Sequence, residues 1–239
     1  MRCIPLISIS AVLSVSGPLL AQEWIEFASR EDRFTCNFPT QPKVTETIYR
    51  SQHEADLPAR VYSATQGQSR YSVTVVDYNQ AQRILTEKAK SCPAGAETCL
   101  GGAGDEGHWK ADIRGAMDYA SWQLMKRDAK LTLFVWGVVD LVEGRQMQFT
   151  NADKSRTFAG IYMHENKLYI IEGTVPPGYP EPGLFQQSLG WLDENGVSIR
   201  YQTYYSNGFP PPPRARRAAP AQGPGRIDAP GAVVNPGQR

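Results

Sequence analysis

From Trp24 onward the apolar residues recur with a period of two. Trp24-Ile25-Glu26-Phe27 signals a short strand, and Phe34, Cys36 and Phe38 alternate with polar residues until Pro39 and Pro42. Residues Lys43 to Arg50 (KVTETIYR) carry Val44, Thr45, Thr47 and Ile48, which favour strands. Pro58 to Ala64 and Tyr71 to Tyr78 predict a hairpin around Gln66-Gly67-Gln68. The period then changes. Residues 79–91 are polar and helix-permissive. From His108, Trp109, Ile113, Ala116, Met117, Ala120 and Leu124 recur at steps of three and four, predicting a core-covering helix that ends near Arg127.

Leu131 to Val142 (LTLFVWGVVDLV) is apolar on both alternations, which predicts a central strand covered on both faces. Turns at Glu143-Gly144, Asp153-Lys154 and Glu165-Asn166 make a four-strand meander with Arg145–Thr150, Arg156–Met163 and Lys167–Val175. After a Pro-rich crossover, Leu184, Phe185, Leu189 and Leu192 predict a second helix, started by Pro182 and stopped by Gly196. A last strand is expected over Val197–Tyr204. The class is α+β: an antiparallel sheet of about six to eight strands flanked by two or three helices. A closed lipocalin-like barrel is the alternative.

The two ends of the chain read differently from its body. Arg2, the apolar run 4–15, the breaker Gly17-Pro18 and Ala21 form a secretory leader, with cleavage expected before Gln22. Residues 22–205 are expected to be one domain. Residues 206–239 hold eight Pro and five Gly, too little apolar surface to offset ordering entropy. Arg214, Arg216, Arg217, Arg226 and Arg239 against Asp228 give this tail a net charge of +4. The chain has 25 Lys+Arg and 24 Asp+Glu; without Arg2 and the tail these become 19 and 23, so the body carries −4. A near-neutral total excludes a nucleic-acid binder that works by bulk charge. No stretch after the leader is long and apolar enough to span a bilayer. The protein is therefore expected in the periplasm or medium. Arg214, Arg216 and Arg217 are candidates for contact with an anionic surface.

Export makes Cys92 and Cys99 the natural disulfide pair, around the small-residue loop PAGAET. Closing that loop should stabilise the fold by about 2.5 kcal/mol. Zinc would need more ligands and a CxxC spacing, which is absent. Cys36 reads as a small core residue. Gly102-Ala103-Gly104-Asp105-Glu106-Gly107 matches GxGxxG, but Asp105 and Glu106 would place negative charge where a pyrophosphate must sit. A hinge before the His108 helix is the better reading. Asp105, Glu106 and His108 match no metal motif, and nothing pairs His53 or His164 with a nucleophile. No GxSxG elbow, HExxH helix, Walker loop or EF-hand loop is present. No cofactor is implied. Aromatics spaced like Trp109, Tyr119, Trp122 and Trp136 fit a core better than a ligand pocket, and three of these positions fall inside the expected sheet–helix interface.

Residues 24–42, WIEFASREDRFTCNFPTQP, join an aromatic strand, a Ser-x-Glu-Asp turn and a Phe-rich strand ending in Phe-Pro. This opening resembles that of small exported bacterial proteins with the PsbP-like fold. The order of strands, helix, meander and C-terminal helix is similar over residues 23–204. The resemblance implies a non-catalytic binding or assembly role in the cell envelope, with an unnamed partner, and supplies no catalytic residues. A carrier of a small apolar ligand and a hydrolase with an unrecognised site are the alternatives.

Overall fold

The structure is a computed structural model, and it describes residues 24–90 and 107–207. Among the described residues ten strands form two sheets: β1 (Ile25–Ser29), β2 (Phe34–Phe38), β3 (Lys43–Arg50), β4 (Asp56–Gln66), β5 (Ser69–Asp77), β6 (Ala129–Val139), β7 (Val142–Asn151), β8 (Arg156–His164), β9 (Lys167–Val175) and β10 (Gly190–Trp191). Three helices accompany them: α1 (Ala81–Lys90), α2 (Gly107–Met125) and the single turn α3 (Gly183–Gln186). The large sheet has the order β3-β4-β5-β9-β8-β7-β6, and the small one β1-β2-β10. All named pairings are antiparallel. The α+β class holds. The barrel alternative does not, because β3 and β6 end the large sheet without meeting.

The large sheet is the middle of three layers. On one face, α1 and α2 press Leu85, Trp109, Ile113, Ala116, Ala120 and Leu124 onto Leu57, Val76, Met147, Phe149, Ile161 and Leu168. The three- and four-residue spacing of α2 thus forms the stripe expected of it. On the other face, Phe34, Cys36 and Phe38 of β2 join Trp191, Phe185, Tyr169, Tyr162 and Ile171. Burying each of those Phe side chains contributes about 2–3 kcal/mol. Cys36 is a buried free thiol in this layer.

Tight turns fix the strand order. Asp140-Leu141 and Glu165-Asn166 have positive φ at both central residues (44° and 63°, 48° and 58°), the twist that joins antiparallel neighbours directly. The first turn therefore lies at Asp140-Leu141, and the expected turn residues Glu143-Gly144 belong to β7. Sequential neighbours β6 to β9 must then lie side by side, and β9 pairs with β5. That leaves β6 at the far edge, not at the centre. The strands covered on both faces are β8 and β9.

Two C-terminal expectations are corrected. Only residues 183–186 form a helix; Leu184 is exposed, while Leu189 and Leu192 are buried in extended chain around β10. Residues 197–204 form no named strand. They are tied through isolated bridges, Leu192 to Ser198 and Val142 to Tyr205. Beyond Tyr205, Asn207 bonds its side chain to Asn166.

Candidate functional site

The two edges of the large sheet differ in chemistry. β3 alternates Lys43, Glu46 and Arg50 with Val44 and Ile48, so its open edge is charged along its length. Charge on an edge discourages pairing with another chain. β6 carries no charged residue between Lys130 and Asp140. Leu131, Leu133, Phe134, Val135 and Trp136 are 37%, 43%, 45%, 40% and 52% exposed. The register shows which way they point. Leu131 and Phe134 pair with Phe149 and Met147 of the helix-side core, so they lie on the helix face together with Trp136. Val135 pairs with Gln146 and lies on the opposite face with Gly137 and Val139. Both faces of β6 are thus open from Lys130 to Trp136.

No strand among the described residues pairs with the outer side of β6. Tyr204 extends the surface, its ring edge-on to Trp136 at 5.7 Å. A register shift between Leu131 and Leu133 bends the strand near its start. The remaining residues form a regular edge that offers backbone donors and acceptors and apolar side chains. It offers no nucleophile, acid or base. Its chemistry is binding by strand addition or apolar contact. Trp122, on the outer side of α2, is also exposed, with the Lys126 ammonium over its ring at 3.2 Å. Of the four aromatics Trp109, Tyr119, Trp122 and Trp136, Trp109 is buried at the sheet–helix interface, whereas Trp122 and Trp136 face out.

Two polar clusters lie elsewhere. Asp32, in the Ser-x-Glu-Asp turn, is 2% exposed. It accepts two hydrogen bonds from Arg60, both at 2.8 Å, and one from the Tyr62 hydroxyl at 2.6 Å. The Lys167 ammonium lies 3.6 Å from Asp32 and 3.6 Å from Asp77. Burial alone would raise the Asp32 pKa, but the Arg60 and Tyr62 hydrogen bonds and the nearby cations leave it lowered. The same Asp lines an open cleft of about 470 Å³ with Glu46, Arg60 and Asp77. Its carboxylate is saturated by its own chain. The cluster ties the β1–β2 turn to β4 and β9 and presents no uncommitted base.

Under α2, Asp112 is fully buried. It accepts from the His53 backbone N–H at 3.3 Å, and its other oxygen has no hydrogen-bond partner. Burial raises its pKa, against hydrogen bonds from Ser51 and His53. His53 stacks on His108 at 4.6 Å, and burial lowers the His53 pKa. His164, the last residue of β8 before the Glu165-Asn166 turn, is fully buried. It stacks on Trp191 at 4.7 Å, and its Nε2 is 2.7 Å from the Tyr201 hydroxyl. Among the described residues no group of three His, Cys, Asp or Glu could hold a metal ion. Cys92, Cys99, Arg214, Arg216 and Arg217, and the glycine run as far as Glu106, lie outside the described residues.

The fold is an antiparallel α+β module with one apolar, open edge strand. No protein-family model matches the chain. No curated protein sequence matches it either. Among solved structures it is similar to the solution structure of cyanobacterial PsbP (CyanoP) from Synechocystis sp. PCC 6803. Identity is 13%, the match covers 69% of this chain and 86% of that chain, and the TM-score is 0.35. That protein is of the PsbP group which the opening motif resembles; a likeness at this level carries nothing about activity.

Proposed function

We propose that this protein is an exported, non-catalytic binding or assembly module of the bacterial cell envelope, and that it docks through β6. The observation that carries the reading is an 11-residue edge strand with apolar side chains open on both faces and no charge between Lys130 and Asp140. An apolar surface of this kind marks an interaction site in a folded protein. The leader-like residues 1–21 supply the location, and no helix among the described residues is long and apolar enough to cross a membrane. The basic tail adds a second, charge-based contact through Arg214, Arg216 and Arg217 with an anionic surface.

The carrier alternative gains less support. The described clefts, of about 470, 280 and 250 Å³, each include charged side chains such as Arg60, Arg70 or Asp140. An apolar ligand favours walls without such groups. The test has two arms. Protein recovered from the periplasm should begin at Gln22; an intact Met1 there would refute export. A photo-crosslinking residue at Val135 should give discrete adducts in cells, while one at Thr45 on β3 should not. Equal or absent adducts at both positions would refute docking through β6.

A further inference from the structure

We infer that the β6 edge takes the same edge of a second copy of this chain, the two strands running antiparallel about a two-fold axis at Val135. This rests on the docking reading above and names its occupant. The edge is open on both faces, so an occupant that covers it must be apolar on both faces as well. A second β6 has that property along the same residues, Leu131 to Trp136. The opposite edge, β3, does not, because Lys43, Glu46 and Arg50 interrupt it.

Charge selects the direction. Lys126, Arg127 and Lys130 with Asp128 make the start of β6 basic, offset in part by Glu172, which pairs with Arg127. Asp140 and Glu143 make its end acidic, offset in part by Arg200, which pairs with Asp140 at 2.9 Å. Antiparallel pairing sets each basic end beside the acidic end of the other copy. Parallel pairing would set like ends together, which is unfavourable. An axis at Val135 also fixes the register. Leu133 then stands opposite Gly137, and Phe134 opposite Trp136 twice, once on each side of the axis, while the register shift between Leu131 and Leu133 takes Lys130 and Leu131 out of this pairing. Opposed residues share a face, and Phe134 and Trp136 both lie on the helix face, so each pair is an aromatic cross-strand contact.

The contact would join the open backbone edge of each β6 and the side chains that meet across the axis, Leu133, Phe134, Val135 and Trp136. The two seven-stranded sheets would become one continuous sheet across the axis.

Sedimentation velocity of the full exported chain over a concentration series should show a monomer–dimer equilibrium with a Kd on the order of micromolar. Leu133→Lys and Val135→Lys should abolish the dimer while leaving the melting profile of the monomer intact, since both side chains are already open to solvent. Val135→Cys should cross-link to its own counterpart under mild oxidation, because opposed Cα atoms in such a pair lie ~4.5–5.5 Å apart. Leu131→Cys should not, since it lies away from the axis, beyond the register shift and on the other face from Val135. A chain that stays monomeric throughout, or a dimer unaffected by the β6 variants, overturns the inference. A dimer that forms only when residues 208–239 are removed also overturns it, since the tail would then be the occupant. A monomer that still gives Val135-dependent adducts in cells rejects the second copy and leaves the docking reading standing.

Discussion

Replacing Asp32 with Ala tests whether the polar cluster beneath the β1–β2 turn is structural. The carboxylate accepts from Arg60 and Tyr62 and faces Lys167, and it is almost wholly removed from water. Removing one member of a buried ion pair costs about 3–5 kcal/mol, because its partners stay desolvated without compensation. Three partners here can recover part of that. Arg60 also reaches Glu31 at 2.6 Å, Lys167 reaches Asp77 at 3.6 Å, and the Tyr62 hydroxyl lies 3.0 Å from Ser29 Oγ. The loss should therefore fall at the lower end, about 3 kcal/mol. For a domain of this size that lowers Tm by about 6–12 °C. Asp32→Asn keeps the volume and one acceptor and should lose less.

The pH dependence has a definite sign. The folded pKa of Asp32 is lowered, so its contribution is present above the unfolded value of about 3.9 and is lost as pH falls through the folded value. Urea unfolding at a series of pH values should show the wild type and Asp32→Asn diverging near neutrality and converging under acid. A loss below about 1 kcal/mol for Asp32→Ala at neutral pH would refute the tether, as the carboxylate would then behave like an exposed surface charge.

Two further outcomes follow from close packing. An added Cβ at Gly144 would meet the Ile161 carbonyl oxygen and the Tyr162 ring at 2.3 Å, whereas at Gly183 it meets nothing within 4 Å. Gly144→Ala should cost about 2–3 kcal/mol in urea unfolding and Gly183→Ala under about 0.5; equal effects would contradict the β7–β8 register. Cys36 has its thiol pKa pushed up to about 12 by burial, against hydrogen bonding from Ser188 and the Asn37 backbone. Peptide mapping should find Cys36 unlabelled by alkylating reagent in the folded protein at neutral pH and labelled after unfolding; labelling of the native chain would place that face of β2 outside the core.

Much of the architecture was legible because local chemistry dictated it. The inward face of β2 follows from the alternation of Phe34, Cys36 and Phe38. The buried stripe of α2 follows from its spacing, and the Glu165-Asn166 turn from an Asn, which tolerates positive φ. The C-terminal segment was misread because Leu184, Phe185, Leu189 and Leu192 also satisfy helical spacing. The chain instead turns extended at Gly190, where an added Cβ would meet the Thr35 hydroxyl of β2 at 2.6 Å. His164 does lie at a strand end beside a turn, but its burial was not legible for a related reason. Its partners Trp191 and Tyr201 are distant in sequence, and no local signal announces them. The Asp32 tether is of the same kind: Ser-x-Glu-Asp is visible as a turn, but Arg60, Tyr62 and Lys167 arrive from two other strands.

The error at β6 has a different physical origin, and it points to function. An apolar run on both alternations states that both faces of a strand avoid water; it does not state what covers them. The same two-sided demand is met in β8 and β9 by the helices on one side and the small sheet on the other. In β6 those two layers stop short, so Leu131, Leu133, Phe134, Val135 and Trp136 keep a composition suited to an interior while lying at an edge. Lys43, Glu46 and Arg50 along β3 protect that open edge with charge. Leaving β6 bare is then informative, since a long apolar edge carries an aggregation hazard unless a specific partner closes it. The interior-like composition of β6 is accounted for when the missing cover is another polypeptide, and the basic-to-acidic gradient from Lys130 to Asp140 supplies the direction in which that polypeptide should run.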